Sequence, residues 1–171
     1  MKHTTKHICL AALFVAFTAV ISQIAIPLPF FGVPLTLQVF AVALCGYLLG
    51  PVYGSLSVLL YIILGICGVP VFTNFNTGLS ALLGPTGGFI IGFLFFSVLC
   101  GIATRLKKVG EILVGMLGLI LCHISGTIYY MYLSGTTFVA AFIAVSAPYI
   151  IKDAVLCIAA AVISKRIKKV L

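Results

Sequence analysis

Long apolar stretches dominate the chain, interrupted only where charged residues, or glycine and proline together, occur. A bilayer core about 30 Å thick needs about 20 residues of helix to cross it. Dividing the sequence at these interruptions predicts six membrane-spanning helices. They cover residues 8–26, 36–49, 52–68, 88–104, 111–133 and 147–164.

Proline and glycine set several ends of these predicted helices. Pro27 stops the first helix, because proline lacks the N–H group and clashes with the preceding turn. Gly50-Pro51 separates the second helix from the third. Pro148 predicts a break in the last apolar stretch, with a short helix near the outer face before it and the final span after it.

The N-terminal apolar run has two interpretations. Lys2 and Lys6 followed by apolar residues resemble a secretory signal. The apolar core of such a signal has about 7–15 residues, and the run from 8 to 26 is longer. We therefore interpret it as a retained first helix.

The basic residues support a count of six. Nine of the ten lie in three short clusters outside the predicted spans. These basic clusters are Lys2 and Lys6; Arg105, Lys107 and Lys108; and Lys165, Arg166, Lys168 and Lys169. Six spans place all three clusters on one side, and an excess of Lys and Arg marks the cytoplasmic side. We expect one all-α domain, residues 1–171, in the plasma membrane with both termini cytoplasmic.

Composition excludes a soluble fold. The chain is 63% hydrophobic and 7% charged, against roughly 45–50% and about 25% in soluble domains. The surface must therefore face lipid. The formal charge of +8 sits in loops rather than along a solvated stripe, which argues against nucleic-acid binding. The six cysteines lie in apolar stretches without C-x-x-C spacing, so no metal site is predicted.

Two charged residues lie inside the last span. Lys152 and Asp153 are a few residues from its predicted outer end. A charge at such a depth is costly unless paired or solvated, and by default marks a ligand or ion pathway. Adjacent residues on a helix do not face each other, so we expect poor mutual pairing. A self-neutralising pair, or a Lys152 that reaches the interface, is the structural alternative.

Polar and aromatic residues collect at the same outer end. The polar residues lie at the start of the second span or in the stretch before the fourth: Thr36, Gln38, Thr73, Asn74, Asn76, Thr77, Ser80 and Thr86. Gly87 comes directly after Thr86. The aromatic ones are Phe30, Phe31, Phe72, Phe75, Phe89 and Tyr149. With Asp153 they predict an apolar pocket with a few orienting hydrogen bonds. We expect nine residues to bind the substrate: Thr36, Gln38, Asn74, Asn76, Thr86, Gly87, Tyr149, Lys152 and Asp153. Polar outer loops and an interfacial aromatic belt are the structural alternatives.

Small residues line one side of the first span. Ala12 and Ala16 form a small-x-x-x-small pattern, and Ala19 lies one turn further. Residues of this size at this spacing allow helices to approach closely in lipid. The pattern alone fits internal packing as well as a partner surface.

Recognisable catalytic groupings are missing from the sequence. The two acids, Glu111 and Asp153, fall at opposite faces and cannot share a proton. Residues 84–88 are glycine-rich but lack the G-K-[ST] ending of a P-loop, so the chain is not its own ATPase. We expect no carboxylate near His123 to orient it, and we interpret it as a hydrogen-bonded helix–helix residue. We expect neither an enzyme nor a cofactor.

Five motifs resemble the biotin-transporter S components (BioY) of energy-coupling-factor transporters. They are VPLTLQVFAV (33–42), LLGPVYG (48–54), SVLLY (57–61), GVPVF (68–72) and LGPTGGF (83–89). The resemblance implies a six-helix subunit that captures biotin from outside and partners a transmembrane coupling protein and two cytoplasmic ATPases. The alternatives are a solitary carrier working without ATPases and, from another class, a membrane enzyme or a structural packing protein.

The resemblance also implies roles for individual residues. Pro148 to Asp153 matches the family's last span, which implies that Asp153 accepts hydrogen bonds from the ureido N–H groups of biotin. Two carboxylate oxygens suit two parallel donors. Many relatives have glycine just before this Asp and lysine three residues after it, where this chain has Lys152 and Leu156. The pattern from Ala12 to Ala16 matches the surface that docks on the coupling protein.

Overall fold

The computed structural model describes residues 2–27 and 33–170, so the predicted aromatic residues Phe30 and Phe31 lie outside the described residues. Seven α-helices form within these ranges: α1 Lys2–Ser22, α2 Gln38–Ile66, α3 Gly78–Leu83, α4 Gly87–Ala103, α5 Lys108–Ser134, α6 Phe138–Val145 and α7 Ala147–Lys168. Two short strands, β1 Ala25–Ile26 and β2 Leu35–Thr36, pair antiparallel and close the first loop. A 3-10 turn covers Thr73–Phe75. The fold is otherwise helical, as predicted.

The helix α2 folds back on itself at Gly50. This residue has φ 79° and ψ −178°, a backbone conformation that is essentially restricted to glycine. The side-chain amide of Gln38, at the start of α2, consequently donates to the hydroxyl of Tyr61 at 2.6 Å, although 23 residues separate them. A straight helix of that length would hold them about 35 Å apart. The predicted boundary at Gly50-Pro51 is confirmed.

The last apolar stretch is divided as predicted. Helix α6 ends at Val145, Ser146 leaves the helical conformation with φ −124° and ψ −49°, and α7 starts at Ala147 with Pro148 in its first turn. Proline is tolerated there because its missing N–H would have no partner. Helix α3, in contrast, lies in a stretch that we predicted as loop. Its six residues are too few for apolar periodicity to reveal.

The ends of α4 and α7 and the start of α5 lie at one end of the molecule. The ammonium of Lys165, near the end of α7, contacts the carboxylate of Glu111 in the first turn of α5. Gly101, near the end of α4, touches the fold-back of α2, where a Cβ on it would collide with Pro51. Two of the predicted basic clusters therefore share this end of the molecule.

Helix α1 packs on α2 with one face and leaves its other face open. The ring of His7 stacks on that of Tyr53, with centroids 4.8 Å apart, so α1 starts at the end that carries the basic clusters. Ala12 and Ala16 are exposed. Ala19 is partly buried and packs against the core.

The surface of the molecule is largely apolar. Large side chains such as Leu13 (61% exposed) and Ile151 (79% exposed) point outward, as expected where lipid replaces water. Four helical stretches are long and apolar enough to cross a membrane: Thr5–Ser22, Gln38–Ile66, Lys108–Ser134 and Ala147–Lys168. Gly87–Ala103 is a shorter apolar helix.

Candidate binding site

Asp153 lies in the second turn of α7 and is 3% exposed. Its Oδ1 is 2.7 Å from Nζ of Lys152, yet it has no hydrogen-bond partner among the described residues. We expected these neighbours to pair poorly. The expectation was wrong for the ion pair, because the two charged groups are in contact. The long lysine stem curls back to bring the two charges together, while the diverging directions of adjacent side chains leave the contact without hydrogen-bond geometry.

His123, on α5, faces the same carboxylate. Its Nε2 is 3.4 Å from Oδ2 of Asp153. The prediction that His123 bonds between helices is confirmed, because its Nδ1 is 3.1 Å from Oγ of Ser146. The prediction that it lacks a nearby carboxylate was wrong. No local pattern could reveal this contact, since Asp153 reaches it only through the packing of α7 on α5.

Serine, histidine and aspartate thus stand in the order of a hydrolytic triad. A nucleophilic serine must be reachable by its substrate, and Ser146 is completely buried. Its hydroxyl instead contacts the hydroxyl of Thr127 at 2.8 Å. These contacts therefore form an internal hydrogen-bond chain rather than a catalytic site.

A cleft opens onto Asp153 and encloses about 530 Å³ of space, part of it open to solvent. Its walls are mostly apolar and include Val39, Phe89, Ile90, Phe93 and Val145. The polar lining consists of Thr36, Gln38, Thr73, Thr86, His123, Tyr149, Lys152 and Asp153.

A more polar compartment, called here the outer compartment, lies beside this cleft and encloses about 740 Å³, part of it open to solvent. The two are neighbours, because Gln38, Thr73 and Thr86 line both. Asn74 and Asn76 line the outer compartment. Of the nine residues predicted to bind substrate, eight line one compartment or both. Gly87 lines neither, and a Cβ on it would collide with the main chain of Leu82.

Two predicted residues of α7 hold the segment that precedes α2. The hydroxyl of Tyr149 donates to the main-chain carbonyl of Val33. The ammonium of Lys152 donates to the carbonyl of Thr36 at 2.6 Å. Since Val33 and Thr36 line the cleft, these bonds fix one of its walls to the helix that carries Asp153.

Gln38 is already engaged within the protein. Its amide nitrogen donates to Tyr61 at 2.6 Å, and its amide oxygen accepts from the hydroxyl of Thr73 at 3.4 Å. Tyr61 in turn donates to the carbonyl of Val71 at 3.1 Å. This network ties both halves of α2 to the loop that borders the outer compartment.

A multi-pass helical membrane protein with a cleft around a buried carboxylate is the class that this geometry defines. The profile of the BioY family matches residues 1–171. The chain is 40% identical over 163 residues to the probable biotin transporter BioY of Pyrococcus horikoshii, covering 95% of this chain and 96% of the relative. It is 45% identical over 98 residues to the biotin transporter BioY of Thermotoga maritima, covering 57% of each.

A solved structure agrees with these relatives. The S-component for biotin from an ECF-type ABC transporter matches with a TM-score of 0.90 and 31% identity, covering 98% of this chain and 93% of that one. The chain therefore belongs to the BioY family, and its fold is that of an S component. The relatives are named as transporters, so the family is one of transporters rather than enzymes.

Proposed function

We propose that the protein binds biotin as the S component of an ATP-driven vitamin importer of the ECF type. The observation that carries this proposal is the carboxylate of Asp153, a buried charge that lines an apolar cleft and whose Oδ1 contacts the Lys152 ammonium without hydrogen-bond geometry. A carboxylate has several acceptor positions, so it can accept further hydrogen bonds from a ligand. The ureido group of biotin offers two parallel N–H donors, which match the two oxygens of a carboxylate. Relatives named as biotin transporters support the choice of ligand.

The other predicted residues take supporting roles in this proposal. The ammonium of Lys152 offsets the negative charge of Asp153, and Tyr149 holds the wall of the cleft. Thr36 lines the cleft, and Gln38 and Thr86 line both compartments. The side-chain amides of Asn74 and Asn76 offer donors to the carboxylate of biotin in the outer compartment. Gly87 contributes by close packing rather than by contact with the ligand.

A titration of the purified protein with biotin tests the site. Asp153→Asn should weaken binding by about 10- to 100-fold, the range for a lost hydrogen bond to a charged group. Glu111→Gln is the matched control, because it makes the same chemical change at the other buried acid, outside both compartments. Unchanged affinity in Asp153→Asn would remove Asp153 from the site. Binding of riboflavin or thiamine in place of biotin would overturn the ligand.

We infer that residues 1–171 form one domain crossing the plasma membrane six times, with both termini in the cytoplasm. The crossings are α1, the two halves of α2, α4, α5 and α7. The shared position of the basic clusters supports this orientation, because Lys and Arg are enriched in cytoplasmic loops. The opposite loops, 27–35, 73–87 and 134–137, contain no Lys or Arg.

The open face of α1 is the proposed docking surface for the transmembrane coupling protein, which would link the chain to two cytoplasmic ATPases. Ala12 and Ala16 are exposed there, and small residues allow a partner helix to approach closely. Ala19 is partly buried, so it would contribute at the edge of this surface.

Substitution with tryptophan separates docking from binding. Ala16→Trp should leave biotin binding intact and stop energised uptake into cells. Val139→Trp, at a position on α6 that is 65% exposed, is the control and should leave uptake unchanged. Normal uptake by Ala16→Trp would remove the docking role. Uptake that persists without the coupling protein and collapses with a protonophore would instead indicate a solitary carrier.

A further inference from the structure

A chain of buried polar side chains lies behind Asp153. Oγ1 of Thr127 is 2.8 Å from Oγ of Ser146, and Oγ of Ser146 is 3.1 Å from Nδ1 of His123. Nε2 of His123 then lies 3.4 Å from Oδ2 of Asp153. Thr127 and Ser146 are fully buried, and His123 is 5% exposed. The roles proposed above do not account for these three residues.

The chemistry of these groups gives the chain a direction. An ionised carboxylate only accepts hydrogen bonds, so the imidazole nitrogen that faces it, Nε2, must carry the proton. A neutral ring then has Nδ1 as an acceptor for the hydroxyl of Ser146, which also lies 3.4 Å from the main-chain carbonyl of His123. Thr127 can donate to Ser146 in turn. In this arrangement the hydrogen bonds point toward Asp153 and favour one tautomer of His123.

The orientation of the carboxylate depends on this contact. Lys152 lies 2.7 Å from Oδ1, and an ammonium group attracts both oxygens of a carboxylate. Without a donor on Oδ2, the carboxylate of Asp153 could rotate to place both oxygens around Lys152, which would withdraw them from the cleft. The ring of Phe89, edge-on to His123 with centroids 5.7 Å apart, keeps the imidazole in place.

We propose that His123 is a positioning residue for ligand capture, which holds Oδ2 of Asp153 and so fixes the orientation of the carboxylate for an N–H donor of a ligand in the cleft. Ser146 and Thr127 support it by fixing the imidazole tautomer. This inference rests on the proposed function, since the ligand concerned is a cyclic urea such as biotin. It assigns the orientation of the carboxylate to a histidine on another helix.

The alternative is that His123 only packs α5 against α7. A packing residue should be replaceable by an apolar side chain, whereas a positioning residue needs an N–H group at the place of Nε2. Glutamine can offer its amide nitrogen near that place, and leucine cannot. Comparing the two substitutions separates the roles.

Equilibrium binding of radiolabelled biotin to the purified full chain is the measurement. His123→Leu should weaken binding by about 10- to 100-fold, and His123→Gln should stay within about threefold of wild type. In an Asp153→Asn background, His123→Leu should change the affinity by less than about threefold, because the contact it removes no longer positions a carboxylate. Equal affinities of the Leu and wild-type proteins would overturn the inference, as would a full loss in both backgrounds.

Ser146→Ala keeps the test decisive if His123→Leu fails to fold. The Ser146 side chain makes no capping bond to α7, so its removal spares the start of the helix. Losing the donor to Nδ1 should weaken biotin binding by about three- to tenfold, and unchanged affinity would overturn the inference. If Asp153→Asn abolishes measurable binding, the comparison of Gln with Leu decides. A wild-type protein that binds no biotin would contradict the proposed function itself.

Discussion

Both buried carboxylates of this chain are paired with lysine, but the two pairs differ in the position of the lysine and in the hydrogen bonding of the carboxylate. Glu111 is 4% exposed and contacts Lys165 across α5 and α7. Asp153 is 3% exposed and pairs with its own neighbour, Lys152, leaving Oδ1 without a hydrogen bond. The Lys165 side chain is 45% exposed, so solvent can compensate its charge when the pair is broken. Glu111 lies outside both compartments, whereas Asp153 lines the cleft.

Tyr61 should contribute to stability through its hydroxyl. It is fully buried and links Gln38 to the carbonyl of Val71. Tyr61→Phe leaves the Gln38 amide without its acceptor and should cost about 1–2 kcal/mol, measured as a lower Tm in detergent. Tyr132→Phe, at a position that is 79% exposed, is the control. Equal Tm values for the two variants would contradict this role.

Residue types predicted the polar part of the site but little of its apolar walls. Lys152 and Asp153 stood out because they are the only charged residues inside the last predicted span. Phe89 was predicted at the outer end and lines the cleft, but Ile90 and Phe93, which also line it, cannot be told in sequence from any apolar residue of a buried helix. The contact of His123 with Asp153 depends on how α5 and α7 pack, which single-residue patterns do not encode.

At the scale of helices, glycine and proline residues predicted the helix boundaries better than the spacing of apolar residues did. Gly50-Pro51 and Pro148 predicted the fold-back of α2 and the start of α7, because each restricts the backbone directly. The pattern of apolar residues gave less information about helix boundaries, since helices in lipid are apolar on most sides. The pairing of Ala25 with Thr36 and of Ile26 with Leu35 is too short for the alternation that identifies strands.

Gly50 should tolerate no side chain, although there is space for one. A Cβ there would meet nothing within 4 Å, so the cost comes from the backbone alone, about 1–3 kcal/mol. Gly50→Asn should lower the Tm accordingly. Gly135→Asn is the matched control, because Gly135 has φ 64° and ψ 20°, a left-handed conformation that asparagine adopts. Equal effects at the two positions would show that the fold-back does not depend on glycine.

For the whole molecule, the two ends have different chemistry. The basic clusters lie together at one end, and both compartments lie toward the other, near the starts of α2 and α7. A ligand entering the outer compartment would meet amide side chains first and the buried carboxylate last. Under the proposed orientation this entrance faces outside, so the ligand would be captured from the side of the membrane opposite to the basic clusters.

Native cysteines allow this orientation to be tested. Cys67, at the end of α2, and Cys9, in the first half of α1, are exposed. The other four are buried: Cys45, Cys100, Cys122 and Cys157. Six crossings with a cytoplasmic N-terminus put Cys67 outside, because α2 returns there after its fold-back. A membrane-impermeant maleimide applied to intact cells should label the wild type and Cys9→Ser, but not Cys67→Ser. Labelling that depends on Cys9 instead would invert the molecule, placing the cavity entrance on the cytoplasmic side and excluding capture from outside.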